Sequence, residues 1–145
     1  MRVDKDKYYL NIAFEVSKRS TCLRRHYGAI IVNNDEIIAT GFNGNPRGEC
    51  NCCDSGICKR EGVERYKDYD KCNAVHAEQN CMLEAARKDM IGATLYLACE
   101  SFELSKTGVR DKNPKPCKTC MNMIKNAGII RVINEEGVVW QAWQR

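Results

Sequence analysis

Two short segments carry the residue types of metal chemistry. His76-Ala77-Glu78 offers an imidazole and a carboxylate two residues apart, and Pro116-Cys117-Lys118-Thr119-Cys120 offers two thiols three apart. Residues three apart share a helix face, so the sulfurs of Cys117 and Cys120 can meet one point beyond a first turn. Both segments open predicted helices, and the partial positive charge at a helix N-terminus favours the thiolates that zinc requires. His76, from the other helix, completes three protein ligands. The fourth tetrahedral corner is left for water, the arrangement of a catalytic rather than a closed structural zinc. Glu78 then has work to do while staying unligated. Zinc lowers the pKa of such a water from ~15.7 towards ~7, and a carboxylate within reach can take its proton and pass it to a reacting nitrogen. A lone CxxC or a lone histidine is usually structural; the two motifs together are far more specific.

The chain holds ten cysteines in 145 residues. In a secreted miniprotein that count reads as disulfides, but the N-terminus, Met1-Arg2-Val3-Asp4-Lys5-Asp6-Lys7, lacks the apolar stretch of a secretory signal. The expected location is the cytoplasm, where thiols stay reduced and clustered cysteines more often hold metal. Cys22, Cys52 or Cys53, Cys58 and Cys72 flank a long irregular segment, and four thiolates gathered there form a closed structural zinc site that staples it. Spacing does not choose between Cys52 and Cys53, since neighbours point different ways; Cys52 is taken for its position relative to Pro46. Cys81 is expected in the core, and Cys50 and Cys99 as ordinary buried or partly buried cysteines.

The elements that must position these groups follow from periodicity. Tyr9, Ile12, Ala13 and Val16 recur at helical spacing within residues 5–19. Gly28-Ala29-Ile30-Ile31-Val32 and Glu36-Ile37-Ile38-Ala39-Thr40-Gly41 flank the polar turn Asn33-Asn34-Asp35 and read as a hairpin. Residues 41–71 are irregular. A helix is expected over 73–90, a strand over 93–98, a polar connection over 100–116, a helix over 117–127 closed by Gly128, and strands over 129–133 and 138–140. This order predicts one α/β domain spanning residues 1–145, with helices packed on both faces of a mixed sheet.

Composition narrows the function classes. No uncharged apolar run approaches the ~20 residues of a membrane-spanning helix. The formal charge is +4, with its tightest basic cluster at Lys18-Arg19 and Arg24-Arg25-His26. Two Cys-rich zinc sites bring the net charge to about +2, because each ligating thiol releases a proton. That balance suits a small anionic ligand better than bulk nucleic acid or a membrane surface.

His-x-Glu followed by Pro-Cys-x-x-Cys is the signature of zinc nucleobase deaminases. At these residues the chain resembles the cytidine and deoxycytidylate deaminase superfamily, most closely its deoxycytidylate (dCMP) branch. The resemblance covers most of the chain: Ser20-Thr21-Cys22-Leu23-Arg24-Arg25, Gly28-Ala29-Ile30-Ile31-Val32, Gly41-Phe42-Asn43-Gly44-Asn45-Pro46, His76-Ala77-Glu78-Gln79-Asn80, the Pro116–Cys120 motif, and Asn126-Ala127-Gly128-Ile129. It implies a three-layer α/β/α fold with a five-stranded mixed sheet, a homo-oligomer (a hexamer), and hydrolysis of dCMP to dUMP and ammonia, feeding dTMP synthesis. By the same resemblance His76, Cys117 and Cys120 bind the catalytic zinc and Glu78 shuttles the proton. The Ala77 backbone N–H meets the base carbonyl, and Asn43 bonds the sugar. Arg24 is the candidate for the phosphate, which a guanidinium fork matches well. Some relatives carry a second zinc with histidine among its ligands; here Cys72 stands in. The resemblance also implies activation by dCTP and inhibition by dTTP near Gly44-Asn45-Pro46-Arg47-Gly48, with Arg47 on phosphates. The longer polar connection over 100–115 departs from the family and reads as a lid or interface loop.

Two other functions compete. Within the superfamily, the substrate is another cytosine nucleoside or nucleotide, or an amino-heterocycle. Outside it, the chain is a zinc-stabilised nucleic-acid-binding or scaffold module, which leaves Glu78 without a role.

Overall fold

The computed structural model describes residues 1–63, 71–103 and 105–143. Helix α1 (Lys5–Ser17) starts at Asp4, whose side chain accepts from the Lys7 N–H at 3.2 Å. Strands β1 (Arg25–Asn33) and β2 (Glu36–Phe42) form the expected hairpin. Asn34 and Asp35 both take positive φ at its tip, 51° and 63°, the geometry of a turn that matches strand twist. A four-residue helix, α2 (Cys52–Ser55), lies within the long irregular segment, part of which falls outside the described residues. Helices α3 (Ala77–Leu83) and α4 (Arg87–Met90) precede strand β3 (Thr94–Ser101). Strand β4 (Val109–Asp111), helix α5 (Lys118–Ala127) and strands β5 (Arg131–Asn134) and β6 (Gly137–Gln141) complete the order.

The sheet runs β2-β1-β3-β5-β6, with β3 and β5 parallel and the other neighbours antiparallel. The five expected strands are joined by a sixth, β4, which pairs with the end of β3 through Cys99, Glu100 and Ser101. The polar connection therefore contains a strand that its composition concealed.

Alternation along the central strands divides the core in two. Ala29, Ile31, Leu95, Leu97 and Val132 pack with Ala77, Cys81 and Ile124 on the face of α3 and α5. Ile30, Val32, Tyr96, Ala98 and Ile133 pack with Tyr9, Leu10 and Ala13 on the face of α1. Successive side chains point to opposite faces of a strand, so an unbroken apolar run such as 29–32 must be covered on both. Two glycines set how closely the layers meet. A Cβ at Gly28 would lie 2.0 Å from the Ala13 carbonyl oxygen, and one at Gly41 would lie 2.4 Å from the Cys81 nitrogen. Each helix therefore rests directly on strand backbone.

Two expectations need correction. The buried stripe of α1 is Tyr9, Leu10, Ala13 and Ser17, with Ile12 and Val16 beside it, because the contact at Gly28 admits only small residues. The helix expected over 73–90 starts at Ala77 and breaks after Leu83. Glu84 and Ala85 donate to carbonyls three residues back, and Ala86 is extended (φ −77°, ψ 144°). The break carries the chain around so that Met90 enters the core while Leu83 stays in solvent.

Candidate active site

Two helix starts deliver the metal-chemistry residues to one place. His76 is the N-cap of α3, held by a capping box in which its own N–H donates to Gln79 Oε1 at 2.9 Å. Cys117 is the N-cap of α5, and its sulfur accepts from the Cys120 N–H at 3.4 Å. The parallel β3–β5 pair aligns the two helices on one face of the sheet. His76 Nδ1 lies 3.6 Å from Cys117 Sγ and 3.3 Å from Cys120 Sγ. The three ligand atoms lie within 4.8 Å of one another. One nitrogen and two sulfurs at that separation fit a tetrahedral zinc with a corner to spare.

Glu78 sits in the first turn of α3, only 4% exposed. Burial pushes its carboxyl above the usual carboxylate range; its backbone hydrogen bond, His76 and a hydrogen bond with Cys120 pull the other way. Burial likewise raises the Cys120 thiol, with the Glu78 charge adding to it. A cation between them reverses that pressure on the thiols, which is the electrostatic reason such a site takes a metal. Ala77 is fully buried, and as the first residue of α3 its N–H lies outside the helical ladder.

The residues expected to contact substrate are more engaged than their types suggest. Asn43 is buried; its oxygen accepts from Ser20 Oγ (2.6 Å) and the Tyr27 N–H (2.8 Å), and its amide donates to the Arg25 carbonyl (3.0 Å). Of its two amide protons one is thereby used, so a sugar contact rests on the other. Arg24 pairs with Glu103 Oε1 at 3.2 Å, and a phosphate there must compete with that carboxylate. Arg47 is exposed on its loop.

Cys22, Cys52, Cys58 and Cys72 line one small cavity of about 30 Å³ beside Gly44 and Asn45. Burial raises the Cys52 thiol first, and the nearby Cys22, Cys58 and Cys72 raise it further. Cys53 is exposed, with its sulfur towards Asp54, so the outward neighbour is Cys53 and the inward one Cys52. Cys99 is buried as expected, but Cys50, expected at least partly buried, is exposed on the loop before α2. Among the described residues only the His76 trio closes to 4.8 Å; the four thiols share a cavity without reaching that separation.

Sequence reasoning missed a polar cluster on the same sheet face. Arg25 donates to the Tyr27 hydroxyl and to Asp111 Oδ2, both at 2.9 Å, and burial raises the Tyr27 phenol. Burial also pushes the neighbouring Cys99 thiol up to about 12. Alternation along β1, which puts residues 25, 27, 29 and 31 on one face, was the available signal.

A metal-ready trio at two helix N-termini, with an unligated acid buried between them on an α/β/α sandwich, defines the class of zinc-dependent deaminases. The family described as "Cytidine and deoxycytidylate deaminase zinc-binding region" matches residues 3–136. A deoxycytidylate deaminase of Mycobacterium phage D29 is 37% identical over 91% of this chain and 94% of its own length. The Schizosaccharomyces pombe protein of that name is 34% identical over 88% of this chain, which spans only 36% of it. The cyanophage S-TIM5 dCMP deaminase, solved in complex with dCMP and dUMP, superimposes with a TM-score of 0.65 at 28% identity, covering 92% of this chain and 82% of that one. The chain belongs to the cytidine and deoxycytidylate deaminase family, whose members are hydrolytic deaminases.

Proposed function

We propose that the chain hydrolyses dCMP to dUMP and ammonia, with His76, Cys117 and Cys120 holding a catalytic zinc and Glu78 moving the protons. The observation that carries this reading is the convergence of the three ligand atoms within 4.8 Å beside a buried carboxylate. The phage and yeast relatives, both named deoxycytidylate deaminase, support the choice of nucleotide.

Zinc supplies Lewis acidity there, lowering the pKa of a water in its open position towards ~7. Glu78 takes a proton from the water that attacks C4 and places it on N3 of the pyrimidine; it then carries the proton of the new C4 hydroxyl to the amino group, which leaves as ammonia when the C4–N bond breaks. Its desolvated carboxyl suits both directions of transfer, because a raised pKa brings donor and acceptor closer in strength. The Ala77 N–H donates to the base carbonyl, and its methyl leaves room for the ring. Asn43 offers its remaining N–H to the sugar and holds the start of β1 in place. Arg24 turns from Glu103 to the phosphate.

The four thiols at Cys22, Cys52, Cys58 and Cys72 close around a second, structural zinc, drawing in the segment that carries Asn43. A cytoplasmic location, where thiols stay reduced, is part of the same reading and is supported by the ten free cysteines. Assembly as a hexamer and control by dCTP and dTTP through Arg47 complete the reading; hyperbolic kinetics unchanged by either triphosphate exclude that control.

The deciding experiment measures ammonia release from dCMP, CMP, dCTP and deoxycytidine, with zinc analysis of the same sample. dCMP is expected to turn over fastest. Glu78→Gln is expected to lower kcat by ~10²–10⁴-fold with zinc content unchanged. Loss of zinc with that substitution makes Glu78 a ligand and sinks the assignment; equal rates with and without phosphate sink the nucleotide.

A further inference from the structure

The three metal-site residues are not held alike. Cys120 is buried inside α5, so core packing sets its position. His76 is held by the capping box of α3. Cys117 is exposed, at the mouth of α5, and its place depends on the backbone that enters the helix. Residues 113–117 belong to neither helix nor strand. An irregular segment of this kind drifts unless side chains tie it down.

The tie comes from β5. Asn134, its last residue, is 1% exposed. Its amide donates to Asn113 Oδ1 and to the Pro114 carbonyl, both at 2.8 Å, and its oxygen accepts from the Glu136 N–H at 2.8 Å. One side chain therefore shapes the β5–β6 turn with its acceptor and clasps the entry to α5 with both its donors. Pro114 is itself buried, three residues before Cys117. The adjacent Glu135 pairs with Arg110 on β4, so the end of β5 grips this connection twice.

We infer that Asn134 is a positioning residue for the metal site, acting through Pro114 to fix the approach of Cys117. This rests on the assignment of zinc to His76, Cys117 and Cys120. Buried amides satisfied at every position are specific in geometry, and groups that orient a ligand from behind commonly govern metal affinity tenfold or more.

The test is zinc release to a chelator from the holoenzyme, well below its melting temperature. The kinetic phase absent in Cys117→Ala identifies the catalytic metal. Asn134→Asp keeps the acceptor for Glu136 but loses the donors to Asn113 and Pro114. It is expected to speed that phase at least ~10-fold. Asn113→Ala, a change at an exposed residue, is expected to act in the same direction and decides the matter if the Asp variant does not fold. Ile133→Ala, facing the α1 side of the same strand, lowers stability without touching the clasp and is expected to leave release unchanged. Wild-type release rates in both clasp variants overturn the inference, as does faster release in Ile133→Ala at an equal loss of melting temperature. A wild-type protein without zinc overturns the metal assignment instead.

Discussion

At the scale of single residues, the site is shaped by competition for side chains as much as by their chemistry. Arg24 and Arg25 both reach Glu103, at 3.2 Å and 3.7 Å, and Arg25 also takes Asp111. These pairs are a quarter to a third exposed, so each contributes little to stability and can exchange for another anion. Arg24→Ala is therefore expected to raise KM for dCMP about tenfold, the size of one charge-assisted hydrogen bond, and to leave deoxycytidine turnover unchanged. Steady-state kinetics on both substrates checks it. Glu103→Gln removes the competing carboxylate and is expected to lower KM for dCMP; an increase means that Glu103 aligns Arg24 rather than competing with it. His26 shows how residues link regions: its Nε2 lies 2.7 Å from the Cys22 carbonyl while its ring packs on Phe102, 4.7 Å between centroids.

At the scale of elements, the decisive contact is α3 on β2. The helix that carries His76 and Glu78 lies on Gly41, where an added Cβ would fall 2.5 Å from the Ala77 carbonyl oxygen. Backbone on both sides leaves no flexible group to give way. Gly41→Ala is expected to cost about 1–3 kcal/mol by overpacking and to reduce activity by lifting α3 from the sheet. Denaturant unfolding and kcat together check it: lost stability with wild-type kcat shows that the site rides on α5 instead. Segment 100–115, expected as a polar lid or interface loop, is tied to the rest of the fold through β4 among its described residues. β4 pairs with β3, Asp111 holds Arg25, and Arg110 bonds Glu135 and stacks on Phe14.

At the scale of the whole molecule, the sheet separates two apolar cores, one of which borders the candidate metal site. The α1 face is closed by Tyr9, Ile30 and Tyr96, with the Tyr96 hydroxyl bonded to Asp6 at 2.7 Å. The other face packs apolar groups beneath α3 and α5 and carries the site at the helix ends. Within the described part of the cysteine-lined segment between β2 and α3, α2 has no buried residue. That segment is the part of the molecule where metal has most to contribute. Cys72→Ser is expected to lower zinc from two per chain to one, keep the catalytic metal, and lower the melting temperature, since a ligand bound only to the folded state stabilises it by RT ln(1 + [L]/Kd). Metal analysis with calorimetry checks this; one zinc per wild-type chain removes the second site.

Much of this was legible in the sequence, for a physical reason. Strand alternation, the Asn34-Asp35 turn, the N-cap positions of His76 and Cys117, and Gly128 at the end of α5 are local devices, and each acts within a few residues of itself. The convergence of the candidate site was legible likewise, because His76, Glu78 and the Cys117–Cys120 pair are written in two short motifs at helix starts. Tertiary structure decided what depends on residues far apart. It broke the helix after Leu83, made a strand of Val109–Asp111, gave Arg24 to Glu103, turned Cys52 inward and Cys53 outward, and set Asn134 behind the entrance to α5. Those outcomes follow from which groups are buried together, and burial is a property of the folded chain that no local spacing encodes.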